Sequence, residues 1–142
     1  MHFYIQHFSN LGYHKEDGLY VLDNELYVIV TDEKWAVYVF TLYKGFKCNG
    51  GSVPRPFRWF MPSWDDDVPL LNIAYCLHDW LYASAELPKE IADDMLRGLL
   101  RDAGYNRLHA STVCWAVNTF AKSHYGKDEY GVAKLGKLEV TP

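Results

Sequence analysis

The sequence predicts an α+β protein, with an N-terminal antiparallel β-meander followed by a long Pro/Gly loop and three helices. Three observations predict it. β-Branched and aromatic runs fill the first third of the chain, four prolines fall between Pro54 and Pro69, and apolar residues recur at helical spacing beyond Pro69. Leu19 to Leu22, Leu26 to Val30 and Trp35 to Phe40 are the predicted strands, separated by Asp23-Asn24-Glu25 and by Thr31 to Lys34. Thr41 to Lys47 can add another before Asn49-Gly50-Gly51, whose glycines permit positive φ and close approach of the backbone to a partner. The prolines that follow forbid a regular ladder.

Pro69 suits a first helical turn, and Asp65, Asp66 and Asp67 ahead of it suit the helix dipole. LLNIAYCLHDWLYA is the first predicted helix. A second begins at Pro88 and stops before Gly104, with Ile91, Met95, Leu96, Leu99 and Ala103 in one stripe. A third runs from about His109 to His124, with Ala110, Val113, Cys114, Val117, Phe120 and Ala121 on one face. The expected organisation is one domain over 1–142: a β-rich part at 1–48, a loop at 49–68, a helical part at 69–125 and a fraying tail at 126–142.

Composition narrows the function classes. With 49% hydrophobic and 23% charged residues the chain reads as globular, and no stretch approaches the roughly 18 apolar residues of a membrane helix. No transmembrane segment is expected, although contact with a membrane surface stays open. The N-terminus lacks the basic start and long apolar run of a secretory signal, so a reducing compartment is the expectation. Cys48, Cys76 and Cys114 are odd in number and show no CxxC spacing, which predicts small core residues and no disulfide partner. The net charge of −4 argues against nucleic acid, whose binding rests on counterion release by Lys and Arg. Lys44, Lys47, Arg55 and Arg58 nevertheless cluster with Phe46, Phe57, Trp59 and Phe60 in an acid-free segment.

The predicted chemical centre is His78-Asp79 in the first helix. Ile73, Ala74, Leu77 and Leu81 argue that it is buried, and a buried polar group needs a partner. At about 100° per residue Asp93 borders the apolar stripe of the second helix, whereas Asp94 points away from it. Asp93 is therefore the expected partner, and Tyr82, one turn after His78, can bond either carboxylate. A histidine oriented by a carboxylate is a general base; a satisfied polar network that fixes helix pairing is the alternative.

GFKCNGGSVPR, HDWLY and KEIADDMLRGLL, in that order and followed by STVCWAVNTFA, resemble an uncharacterised family found in bacteriophages and prophages. The resemblance spans roughly Gly45 to Phe120. It implies a phage setting, in the host cytoplasm or the virion, and a shared site of Asn49, His78, Asp79, Tyr82 and Asp93. Apart from the resemblance, the loop from Asn49 to Trp64 is expected to wall the cleft that exposes His78, with Gly50, Gly51 and Ser52 bringing the backbone close to a ligand and Arg55 receiving an anionic group. That family usually carries Asp where this chain has Asn49, which removes one negative charge from a metal site. HDWLY is also similar, in local chemistry, to secretory phospholipases of the A-two class. That similarity implies His78 as the base, Asp79 as the calcium ligand, Tyr82 as a support and Asp93 as the residue orienting His78. If a metal binds, the donor set of carboxylates and carbonyls with one imidazole predicts a hard ion, Ca2+ or Mg2+, at Asp79.

Two functions follow as expectations. One is a phage-encoded hydrolase with His78 as base, assisted by Asp79 and a cation. The other is a non-enzymatic virion, tail-associated or host-directed interaction protein, with the loop from Asn49 to Trp64 as its contact surface and Arg58 and Trp59 as anchors. Phosphohydrolases named for a His-Asp doublet need further helical histidines upstream, and His2, His7 and His14 precede β-like sequence instead.

Overall fold

The computed structural model describes residues 1–50 and 63–142, with every side chain among them except those of Phe120 and Lys122. In chain order the elements are β1 (Phe3–Phe8), β2 (Tyr13–Glu16), β3 (Leu19–Leu22), β4 (Leu26–Asp32), β5 (Val37–Leu42), β6 (Lys47–Cys48), α1 (Pro69–Ser84), α2 (Lys89–Asp102), α3 (Arg107–Ala116) and β7 (Gly136–Thr141). The α+β class and the three helices match the sequence-based expectation. The strand pairing matches in part: β4 and β5 pair antiparallel as the meander requires, whereas β3 does not pair with β4.

Instead of one meander there are two antiparallel sheets, ordered β1-β4-β5-β7 and β2-β3-β6. β3 and β4 adjoin in sequence but lie in different sheets. The reason is local: Asp17 and Gly18, at φ 52° and 79°, form a two-residue turn that closes β2 onto β3, with Glu16 opposite Leu19. β3 then takes β6 on its other edge.

In the larger sheet Leu26, Val28 and Val30 face the core, opposite Leu42, Phe40 and Tyr38 of β5. The period-two alternation of both strands gives that register, since a one-residue slip would turn every apolar side chain outward. Asp32 closes the β4–β5 turn by accepting the N–H groups of Lys34 and Ala36 and the hydroxyl of Tyr38. The tail expected to fray is β7. It pairs with β5 from Val37↔Thr141 to Leu42↔Gly136, because β5 would otherwise leave a row of peptide groups unpaired.

The helices cover one face of this sheet. α1 is buried over most of its circumference, and Trp80 meets Phe40 edge-on at 6.1 Å. α2 packs on α1, on α3 and on β1, where Gly98 lets the strand approach: a Cβ there would stand 3.0 Å from the Phe3 amide nitrogen. α3 starts two residues before its expected beginning because Asn106 caps it, accepting the His109 N–H at 2.8 Å. Its expected run to His124 is also interrupted: a π turn occupies Val117–Ala121 and a 3-10 turn Lys122–His124. One cluster of buried apolar side chains runs from Phe3 to Val132. Among the described residues no helix is long and apolar enough to cross a membrane.

β7 is held in place from α1. The Trp80 indole donates to the Ala133 carbonyl at 3.0 Å, and a Cβ on Gly136 would lie 2.4 Å from the same indole nitrogen. Gly136→Ala is therefore expected to overpack this seam and cost about 1–3 kcal/mol, read as a lower urea midpoint with an unchanged slope.

Candidate functional site

α1 sets His78 and Tyr82 one turn apart toward α2, with their rings 4.2 Å centroid to centroid. α2 sets Lys89 and Asp93 one turn apart facing back. Asp93 joins all four. Its Oδ1 accepts from His78 Nε2 at 2.9 Å and from the Tyr82 hydroxyl at 2.6 Å, while Oδ2 accepts from Lys89 Nζ at 2.7 Å. The His78 and Asp93 side chains are each 7% exposed and that of Lys89 is 17% exposed. Lys89 Nζ also donates to Asn118 Oδ1 at 2.7 Å and lies 5.9 Å from the Tyr82 ring centre. The Cys114 thiol leans on the Asp93 carbonyl at 3.8 Å.

Burial alone would raise the Asp93 pKa, but the hydrogen bonds from His78, Lys89 and Tyr82 outweigh it and hold the carboxyl below its usual value. Tyr82 shifts the other way: burial and its bond to Asp93 push its pKa well up, so its hydroxyl stays a donor. An ionised Asp93 only accepts, which puts the proton of the shared bond on His78 Nε2. In the neutral imidazole Nδ1 then carries a lone pair, and among the described residues it has no hydrogen-bond partner. This is the geometry of a histidine oriented by a carboxylate, with the second nitrogen left to accept a proton.

The helical-wheel argument for Asp93 over Asp94 holds. Asp94 lies outside the network and pairs with Arg97 and, at 3.1 Å, with the amino group of Met1.

Asp79 serves a different neighbourhood. Consecutive helical residues point about 100° apart, and the half-buried Asp79 carboxylate accepts the Asn49 N–H at 3.0 Å instead of facing Asp93. Burial raises its pKa, against the His78 ring, the Asn49 N–H and the Cys48 thiol. Asp79 thus fastens the end of β6 to α1. Gly50 is the residue after Asn49. Its N–H turns to Cys48 Sγ at 3.3 Å, and a Cβ on it would lie 2.6 Å from the Tyr20 ring. With φ at 73°, packing and backbone conformation both account for this glycine. Gly51, Ser52, Arg55, Arg58 and Trp59 lie outside the described residues.

A hard cation takes about 6–8 oxygens. Asp79 brings one carboxylate, with one oxygen engaged by an N–H. Among the described residues no three His, Cys, Asp or Glu side chains gather into a metal-holding group, the Asp65 to Asp67 run included. The described donors alone do not complete a calcium or magnesium shell, and Gly51 and Ser52, expected beside Asn49, lie outside the described residues.

Lys89 and Asn118 are the members that sequence reasoning missed. Lys89 was accessible to it as the i−4 neighbour of Asp93, although a cation at a helix N-terminus opposes the dipole by about 0.3–1 kcal/mol. Asn118 left no such signal, because it reaches Lys89 from the π turn. Cys48 and Cys76 are buried free thiols, as expected of small core residues, and Cys114 is half-buried.

Fold and site together define an α+β protein whose first two helices are joined by a buried histidine–carboxylate–lysine–tyrosine network. The chain belongs to the family described as Protein of unknown function (DUF1353), whose model matches residues 21–117. The matched span holds Asn49, His78, Asp79, Tyr82, Lys89 and Asp93, and ends one residue before Asn118. No curated protein and no solved structure matches the chain.

Replacing Asp93 strands a partly buried ammonium and two donors. Asp93→Asn is expected to cost about 3 kcal/mol, at the low end for a broken buried pair because Lys89 keeps some solvent contact. Asp94→Ala should stay within about 1 kcal/mol. The pH dependence follows from the depressed carboxyl. Asp93 contributes its full stability above the unfolded-state value of about 3.9 and loses it as pH falls toward the lower folded value. Urea melts between pH 7 and pH 3 should therefore show a steeper acid loss for the native chain than for Asp93→Asn.

Proposed function

We propose that the protein is a hydrolase of phage or prophage origin, acting in the host cytoplasm or the virion, with His78 as its general base. The observation that supports this most is the bond from His78 Nε2 to an Asp93 carboxylate that Lys89 and Tyr82 keep ionised. Asp93 fixes the imidazole orientation and tautomer, and Tyr82 holds the carboxylate from its second donor position. Nδ1 takes a proton from water as the water oxygen bonds to the carbon or phosphorus of an ester. The leaving group departs with the bonding pair and receives the proton back from Nδ1. The phage setting rests on the GGSVPR and HDWLY resemblance.

The reading is tested on a panel of activated carboxylic and phosphate esters. The native chain should turn over at least one of them, and His78→Asn should lower kcat/KM about 10²- to 10⁴-fold. Loss of one buried hydrogen bond should cost His78→Asn about 1–3 kcal/mol. Turnover that survives His78→Asn at full rate, or a native chain inert across the panel, would overturn it.

A second reading, a non-enzymatic virion or host-directed module, draws on the β4–β5 turn, where Trp35 is 79% exposed at φ 65°. Tyr4, opposite Thr31 near the same end of the sheet, is exposed as well. In that reading the His78 network only pairs helices, and His78→Asn lowers Tm with no activity to lose.

A further inference from the structure

We infer that Lys89 and Asn118 form a positioning clamp for the His78–Asp93 pair, and that the π turn after α3 exists to place Asn118 in it. The inference rests on the hydrolase reading for its purpose but not for its test. Lys89 stands at the first position of α2, where the helix dipole disfavours a cation, and its ammonium turns inward from there. Nζ holds Asp93 Oδ2 at 2.7 Å and Asn118 Oδ1 at 2.7 Å, and lies 5.9 Å from the Tyr82 ring centre. With Oδ2 occupied in this way, the carboxylate can offer His78 only Oδ1, which Tyr82 shares.

A carboxylate gripped at both oxygens from three directions cannot rotate, and so neither can the imidazole bonded to it. Without Lys89 the carboxylate could swing about its Cβ–Cγ bond and trade one oxygen for the other. Asn118 supplies the second anchor. A regular α-helix past Ala116 would place residue 118 differently, and the wider turn at Val117–Ala121 brings its amide oxygen to the ammonium. Single π turns inside helices are uncommon and recur at functional sites. Lys89 and Asn118 are positioning residues: they act on the base only through Asp93.

The test is the exchange of the His78 Nε2–H proton with water, followed by NMR in histidine-¹⁵N-labelled full-length chain, with the α1 backbone amides as internal reference. Lys89→Met keeps most of the side-chain length and removes the charge, and should speed Nε2–H exchange at least about tenfold while the α1 amides stay put, as loss of a charged hydrogen bond implies. Lys89→Arg should restore slow exchange. Asn118→Ala, at an exposed position where folding is not at stake, should give an intermediate rate. Exchange in Lys89→Met and Asn118→Ala equal to that of the native chain would overturn the clamp. So would acceleration of the α1 amides in parallel, which marks a purely structural role. Failure of the hydrolase reading shows separately, as an inert native chain, and leaves this measurement intact.

Discussion

Asp93 carries a charge in a place with almost no water, and the pairing of the first two helices is organised around that fact. A carboxylate sealed from solvent demands donors, and it finds them in three side chains at once: the imidazole and phenol of α1 and the ammonium at the start of its own helix. Each donor is costly to bury alone, and each is satisfied by the same two oxygens. The rotation of α1 against α2 is therefore set more tightly than apolar packing would set it, since leucines and alanines tolerate small slips and a three-donor carboxylate does not.

The two acids that adjoin His78 in space have opposite fates because of their partners. Asp93 meets a cation and two further donors and is held ionised. Asp79 meets one backbone N–H and a thiol in a buried setting, so its ionised form is disfavoured. The adjacent letters His and Asp thus belong to two different structures. His78 belongs to the inter-helix network, and Asp79 belongs to the joint between β6 and α1. Asp93 therefore gathers the histidine and the tyrosine of α1, whereas Asp79 meets the Asn49 N–H.

The family match covers both neighbourhoods except Asn118, and it excludes β1, β2, β7 and the π turn beyond Val117. The outer strands enlarge the sheet on which the helices rest. β1 widens the contact with α2 through the gap at Gly98, and β7 closes the far edge under Trp80. The base chemistry proposed for His78 needs this support, because an imidazole whose carrier helix could shift on the sheet would lose its alignment with Asp93.

Local rules were enough for part of this. Helical periodicity located α1 and α2 to within a few residues and the start of α3 to within two, though not its end, and the same periodicity separated Asp93 from Asp94, because a wheel angle is a property of sequence spacing alone. The His78–Tyr82 spacing was legible for the same reason. The division of the strands into two sheets was not, although Asp17-Gly18 is a readable turn signal, since which strand lies beside which depends on pairings far apart in the chain. β7 pairs with β5 across roughly a hundred residues, and a short polar strand gives no local sign of the edge it will cover. Asn118 depended on tertiary structure most of all: its place beside Lys89 comes from a local widening of α3 that no periodicity announces. The sequence by itself determined which faces of the helices are apolar and which polar residues border them. Only the tertiary structure decided which of those residues share a proton, because that requires two helices to meet at a fixed rotation.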